Sequence, residues 1–355
     1  MRAALVLAAA AALVASAGTA TAAPRLQSPS LARIGAAPAV IADSRLTTPK
    51  ASGLLARGAF WGGRYTTPSG EAVTVYVSDS YPQDPAIPQR WADFLGSLVH
   101  GSELSLVTAY LAPLEEVQTV CGADALACYS PRDSLLVAPG DAPSSDISAE
   151  AVVTHEYGHH VAAHRSDAPW AAVDYGTKRW ASYWQVCRRT RAGELHPGAE
   201  SIPDYELNPG EAFAESYRVL NQRHAGVAET PWNIVDQSFY PTTTALELLE
   251  QDVTAPWTKP TTSVQRSSLS ARVRTRNFSF PTALDGTLSL AVRAAAGVRV
   301  RVHVATASGM SVADRTIAAS HASSVRTTIC GQRGYRVRVA RVRGAGAFTL
   351  TVTRP

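Results

Sequence analysis

Nothing in the chain restricts its fold as tightly as His155-Glu156-Tyr157-Gly158-His159. Four residues is just over one turn of α-helix, so the pattern has chemical meaning only where a helix carries both imidazoles on one face. The surrounding stretch allows this: Ala149 to His164 contains no proline, and Ala151, Val152, His155, His159 and Ala162 recur near helical spacing. Two imidazole nitrogens converging from one face can grip a Zn²⁺ ion, with Glu156 about 100° further round, near enough to reach water beside the metal without ligating it. The expectation is one zinc per chain, held by His155 and His159, with Glu156 as general base.

A third ligand has to come from elsewhere. In the longer H-E-x-x-H-x-x-G-x-x-H pattern the glycine position is here Ala162 and the last histidine position is Arg165, with His164 one residue out of register. Asn208-Pro209-Gly210-Glu211 opens a later helix running to about Arg223, with proline at the first helical position. It carries Glu211 and Glu215 one turn apart on one face. Glu211 reads as the third ligand, because catalytic zinc commonly takes two histidines and a glutamate. The competing reading has Glu211 close a capping box with Asn208. Glu215 suits a hydrogen bond to the outer nitrogen of a metal-bound histidine, or a plain solvated charge.

The rest of the chain divides by texture. Val73, Val75 and Val77 alternate as a strand, Gln89 to Leu98 reads as an amphipathic helix, and Leu104 to Tyr110 and Ser134 to Val137 read as further strands. A small mixed sheet ahead of the motif helix follows. Tyr175 to Arg191 reads as one more helix, its Trp180 and Trp184 packed in the core. Beyond Lys259-Pro260 the pattern turns to alternation, as in Val298, Val300, Val302 and Val304, or Phe348, Leu350 and Val352, which predicts an all-β sandwich. The expected class is α+β over residues 56–260, with a β-sandwich over 262–355.

Arg2, the apolar run Ala3 to Ala17 and the small residues Gly18 to Ala23 predict a signal peptide over residues 1–22. Residues 23–55, rich in Ala, Ser, Thr and Pro, read as a linker or short propeptide. The mature protein is then expected to be secreted, extracellular and without a membrane anchor. Four cysteines in such a chain imply two disulfides with three possible pairings. The short loop favours Cys121–Cys128, which leaves Cys187–Cys330. The net charge of +4 hides an asymmetry: residues 262–355 hold 15 Arg, no Lys and two acids, for +13, so the first 261 residues carry −9. The arginine-rich tail suits an anionic cell-wall polymer, and nucleic acid is not expected because no aromatics interleave to stack bases.

His-Glu-x-Gly-His on one helix and Glu-x-Phe-Ala-Glu on a later one resemble the gluzincin metallopeptidases. The catalytic domain of anthrax lethal factor is similar in both motifs. The resemblance covers roughly residues 70 to 250 and implies a zincin-like peptidase domain, in which His155, His159 and Glu211 hold zinc and Glu156 is the base. It further implies hydrolysis of peptide bonds in a protein or peptide substrate. In that family a tyrosine shortly before the third ligand stabilises the oxyanion, which casts Tyr205 as a catalytic residue. The leader, the cysteines and the motif together look like secreted actinobacterial metallopeptidases. The tail resembles pre-peptidase C-terminal domains in position, length and strand texture, implying a removable or targeting accessory domain. A monomer is expected. Two readings from other classes stay open: a secreted binding protein for anionic surface polymers with a structural or degenerate metal site, and a zinc amidase acting on cell-wall crosslinks.

Overall fold

The structure is a computed structural model, and it describes residues 60–317, 323–331 and 333–355. The signal peptide and the linker expected over residues 1–55 lie outside the described residues.

The alternating valines form β2 (Ala72–Ser78), whose Val73, Val75 and Val77 are fully buried. Its antiparallel neighbour β1 (Phe60–Thr66) went unforeseen, since Gly62 and Gly63 dilute its apolar pattern. On its other side β2 runs parallel to β3 (Thr108–Ala112), and β3 parallel to β5 (Leu135–Pro139). The three-residue β4 (Cys128–Ser130) closes one edge antiparallel to β5, giving a mixed sheet of order β1-β2-β3-β5-β4. Helix α1 (Ala86–Ser97) buries Trp91, Ala92 and Leu95, and α2 (Leu114–Cys121) ends at the Cys121–Cys128 disulfide, which ties it to β4.

The strand expected over Leu104 to Tyr110 begins late. Ser102–Leu106 forms a 3₁₀ turn instead, because the Glu103 carboxylate accepts the Gly101 N–H at 2.8 Å and pairs with Arg165 at 2.7 Å. Local side-chain hydrogen bonding of this kind competes with strand pairing.

The motif occupies α3 (Ala149–Ala163), buried all round from Ala151 to Ala162. The single helix expected over Tyr175 to Arg191 is three short ones: α4 (Ala172–Tyr175), α5 (Lys178–Tyr183) and α6 (Val186–Arg191). The chain breaks at Gly176, with φ +79°, and at Gln185, with φ +55°. A Cβ at Gly176 would lie 2.4 Å from the Trp180 ring, so the turn exists to let that indole in. Trp180 is fully buried, stacked on Phe239 and edge-on to Phe213, while Trp184 is partly buried beside it. A short antiparallel pair, β6 (Ser166–Asp167) and β7 (Trp170–Ala171), follows α3, and helices α7 (Pro209–Ala225) and α8 (Thr243–Thr254) complete the body.

From Thr261 the chain is all β. Strands β8 (Thr261–Leu269), β10 (Gly286–Ala294), β13 (Ser323–Ile329) and β15 (Gly346–Arg354) form one sheet, of order β13-β10-β15-β8. Strands β9 (Thr275–Thr282), β11 (Arg299–Thr306), β12 (Ser311–Ile317) and β14 (Arg333–Arg343) form the other, of order β12-β11-β14-β9. Leu288, Leu290, Val300, Val302, Val337 and Leu350 share a hydrophobic cluster separate from that of the body.

The second disulfide, Cys187–Cys330, joins α6 to the β-sheets across 143 residues. Beside it Lys178, 1% exposed, pairs with Asp167 at 2.7 Å and donates to the carbonyls of Ala168 and Asp285. The Asp285 carboxylate in turn accepts the N–H of Cys187 and that of Gly331. Among the described residues no helix is long and apolar enough to cross a membrane.

Candidate metal centre

Two helices bring the centre together. The Ser148 hydroxyl caps α3 by accepting the Ala151 N–H at 3.1 Å. Asn208 caps α7 by accepting the Gly210 N–H at 2.9 Å. The helices touch at Gly158, where a Cβ would stand 2.9 Å from the Ala214 Cα. Glycine inside the motif thus allows the close approach that sets Glu211 against the histidines.

Nε2 of His155 and Nε2 of His159 lie 3.4 and 3.2 Å from the same oxygen, Oε2 of Glu211. The three residues are each at most 4% exposed, and one donor atom from each lies within 4.8 Å of the others. Ligands about 2.0–2.1 Å from a tetrahedral zinc stand about 3.3–3.4 Å apart. The two separations lie close to that edge, and two imidazoles with a carboxylate suit a borderline-soft divalent ion. His155, His159 and Glu211 therefore form a buried group that could hold a metal ion.

The capping-box reading of Glu211 does not describe this geometry. The Asn208 N–H goes to the Tyr205 carbonyl, and the Asn208 side-chain amide reaches Glu211 Oε1 at 3.4 Å. Asn208 thus caps the helix and braces the carboxylate together. Tyr205, expected as an oxyanion donor, places its hydroxyl 3.1 Å from Glu211 Oε2. Glu215 lies behind the centre, 2.9 Å from Nδ1 of His155. A carboxylate only accepts, so Nδ1 carries the proton and Nε2 keeps its lone pair for a metal ion.

Sequence reasoning missed Arg218. Its guanidinium grips Glu215 through two hydrogen bonds, Nε to Oε1 at 2.9 Å and Nη2 to Oε2 at 2.6 Å. Burial alone would raise the Glu215 carboxyl, but Arg218 and then His155 outweigh it and hold it at about 2. The i, i+3 spacing on a helix was the available signal.

His160, on the far side of α3, is also structural and was not foreseen. Its Nε2 lies 2.9 Å from the Glu103 carbonyl and must donate, so Nδ1 accepts from the Tyr129 hydroxyl at 2.9 Å. Burial pushes its pKa down to about 4, which keeps the ring neutral. His160 thereby pins edge strand β4 to the motif helix. His164 ends that helix, its Nδ1 2.9 Å from the His160 carbonyl, and Arg165 donates to the carbonyls of Asp252 and Val253 at the end of α8.

No family model matches the chain. No curated protein matches it either. Among solved structures, the Yersinia pseudotuberculosis-derived mitogen aligns with 27% of this chain and 87% of its own, at 6% identity and a TM-score of 0.22. The Drosophila NLP core aligns with 26% of this chain and 96% of its own, at 13% identity and a TM-score of 0.17. Similarity at that level carries no argument about function.

A narrow, largely apolar pocket opens beside the centre. His155 and Glu156 line it, together with Leu126, Ala127, Ile147, Val152 and Ile234. Leu126 and Ala127 belong to the loop closed by Cys121–Cys128, so one disulfide holds a wall of the cavity next to the candidate base.

Proposed function

We propose that this protein is a secreted zinc-dependent metallopeptidase of the gluzincin type with a zincin-like body. The observation that carries the reading is the convergence of two Nε2 atoms, from His155 and His159, on a single oxygen of Glu211. Zinc bound there would polarise a scissile carbonyl and lower the pKa of water. Glu156 follows the first ligand directly in sequence and lines the adjoining cavity. Its carboxylate takes the proton of the attacking water and returns it to the leaving amine. A purely structural site has no use for such a base, which disfavours the binding-protein reading. The two disulfides fit an oxidising compartment.

The test is metal content of the purified protein and of Glu156→Gln and Glu211→Ala, with each assayed on casein and on purified cell wall, with and without chelator. The reading expects zinc in parent and Glu156→Gln, casein hydrolysis in the parent alone and its loss to chelator. Glu211→Ala should bind zinc poorly. Solubilised wall with intact casein would mean an amidase, and a Glu211→Ala variant with unchanged zinc would overturn the ligand set.

A further inference from the structure

The tail's 15 arginines are not spread evenly over the sandwich. On the outer face of the sheet β12-β11-β14-β9 the two central strands present Arg299, Arg301, Arg336, Arg338 and Arg343, all exposed, with half-buried His303 among them. Alternation alone would produce outward polar residues, but it does not choose their sign. Register makes the choice costly: Arg299 pairs directly with Arg343. Like charges directly opposite one another destabilise a sheet. A single acid stands on this face, Asp314 on β12, and it holds Arg301 through two hydrogen bonds. Among the described residues Arg299, Arg336, Arg338 and Arg343 have no acidic partner. The flanking outward positions, Asn277 and Ser279 on β9 and Thr316 on β12, are small and uncharged.

The sandwich meets the body elsewhere. Asp285, Thr328 and Cys330, which contact α5 and α6, lie at the ends of strands in the opposite sheet or just beyond them. The acidic body therefore leaves the arginine face open.

We infer that this face binds a linear, phosphate-bearing glycopolymer laid along β11 and β14. From Arg336 to Arg343 is seven residues, about 23 Å of strand, and alternate side chains on a strand stand about 7 Å apart. A chain with an anion every few ångströms can meet several guanidinium forks at once, and those forks suit phosphate oxygens. A nucleic acid is the lesser fit because the face has no aromatic ring for bases. Phe280, Tyr335 and Phe348 are buried between the sheets. The inference stands apart from the metal centre and would survive the loss of the peptidase reading.

The experiment titrates the full-length protein with a polyglycerol-phosphate chain of about twenty units between about 50 and 200 mM salt, and with a single-stranded DNA of equal charge. One variant replaces Arg299, Arg336, Arg338 and Arg343 with serine. A control replaces Arg266, Arg272, Arg293 and Arg326, also exposed but off the face, for the same change in net charge. The face variant should lose at least about tenfold in affinity and show a shallower dependence of log Kd on log salt, while the control stays within about twofold. All eight arginines are exposed, and thermal unfolding checks that both variants fold. Equal losses in both variants would reduce the effect to net charge and overturn the site. No binding by the parent, or tighter binding of the DNA, would overturn the partner.

Discussion

Around the metal centre, single atoms have assigned tasks. Glu215 accepts from His155 Nδ1 and neutralises Arg218, both out of water. Glu215→Ala should cost about 10- to 100-fold in zinc affinity, read by competition with a chromophoric chelator. It should also cost about 3–5 kcal/mol in urea unfolding, since Arg218 is left buried without its counter-charge. Glu215→Gln keeps an oxygen for His155 and should bind zinc more tightly than the alanine variant. Equal zinc affinity in parent and both variants would refute the role. Tyr205→Phe should weaken zinc as well as turnover, because the hydroxyl bonds Glu211; a loss of turnover with unchanged zinc affinity would instead make it a pure oxyanion donor. The sequence made His155, Glu156 and His159 legible because one helix fixes their spacing. It made Glu211 legible by chemistry alone. Arg218 and His160 were not, because their meaning depends on which neighbours the fold brings to them.

At the level of elements, the centre depends on how closely α3 can lie on α7. Gly158→Ala places a methyl against the Ala214 backbone, which cannot swing aside as a side-chain tip would. Overpacking of this sort costs about 1–3 kcal/mol. Zinc affinity should fall with stability as Glu211 is pushed off, and an unchanged melting temperature would show that the helices have slack. Tyr129→Phe removes the donor to His160 Nδ1 and should cost about 1–3 kcal/mol in urea unfolding by leaving that nitrogen buried without a partner. The motif helix and the alternating strands were readable because apolar period is a local property. The three-way break of residues 172–191 was not, because it answers to the bulk of Trp180, seen only once Phe213 and Phe239 are beside it.

For the whole molecule, the relation of body to sandwich is the main surprise. Texture and charge marked a boundary near residue 260, and the resemblance implied a removable appendage. Yet the stretch from Ala255 to Pro260, exposed apart from half-buried Trp257, is only one of several connections. A protease cutting there should leave two fragments that migrate together until reductant opens Cys187–Cys330. Separation without reductant would mean the disulfide does not form. Lys178 sits at the junction, with Asp167 and Ala168 on the body side, Asp285 on the sandwich side and the Trp257 ring 4.8 Å away. That single lysine makes the two halves poor candidates for separate inheritance. A recombination event at the linker would leave Lys178 with its body-side partners but take away the Asp285 carbonyl, one of its buried acceptors. Body and tail should therefore travel through evolution as one cassette, and a relative with a different tail should either supply a carbonyl at the position of Asp285 or carry another residue in place of Lys178.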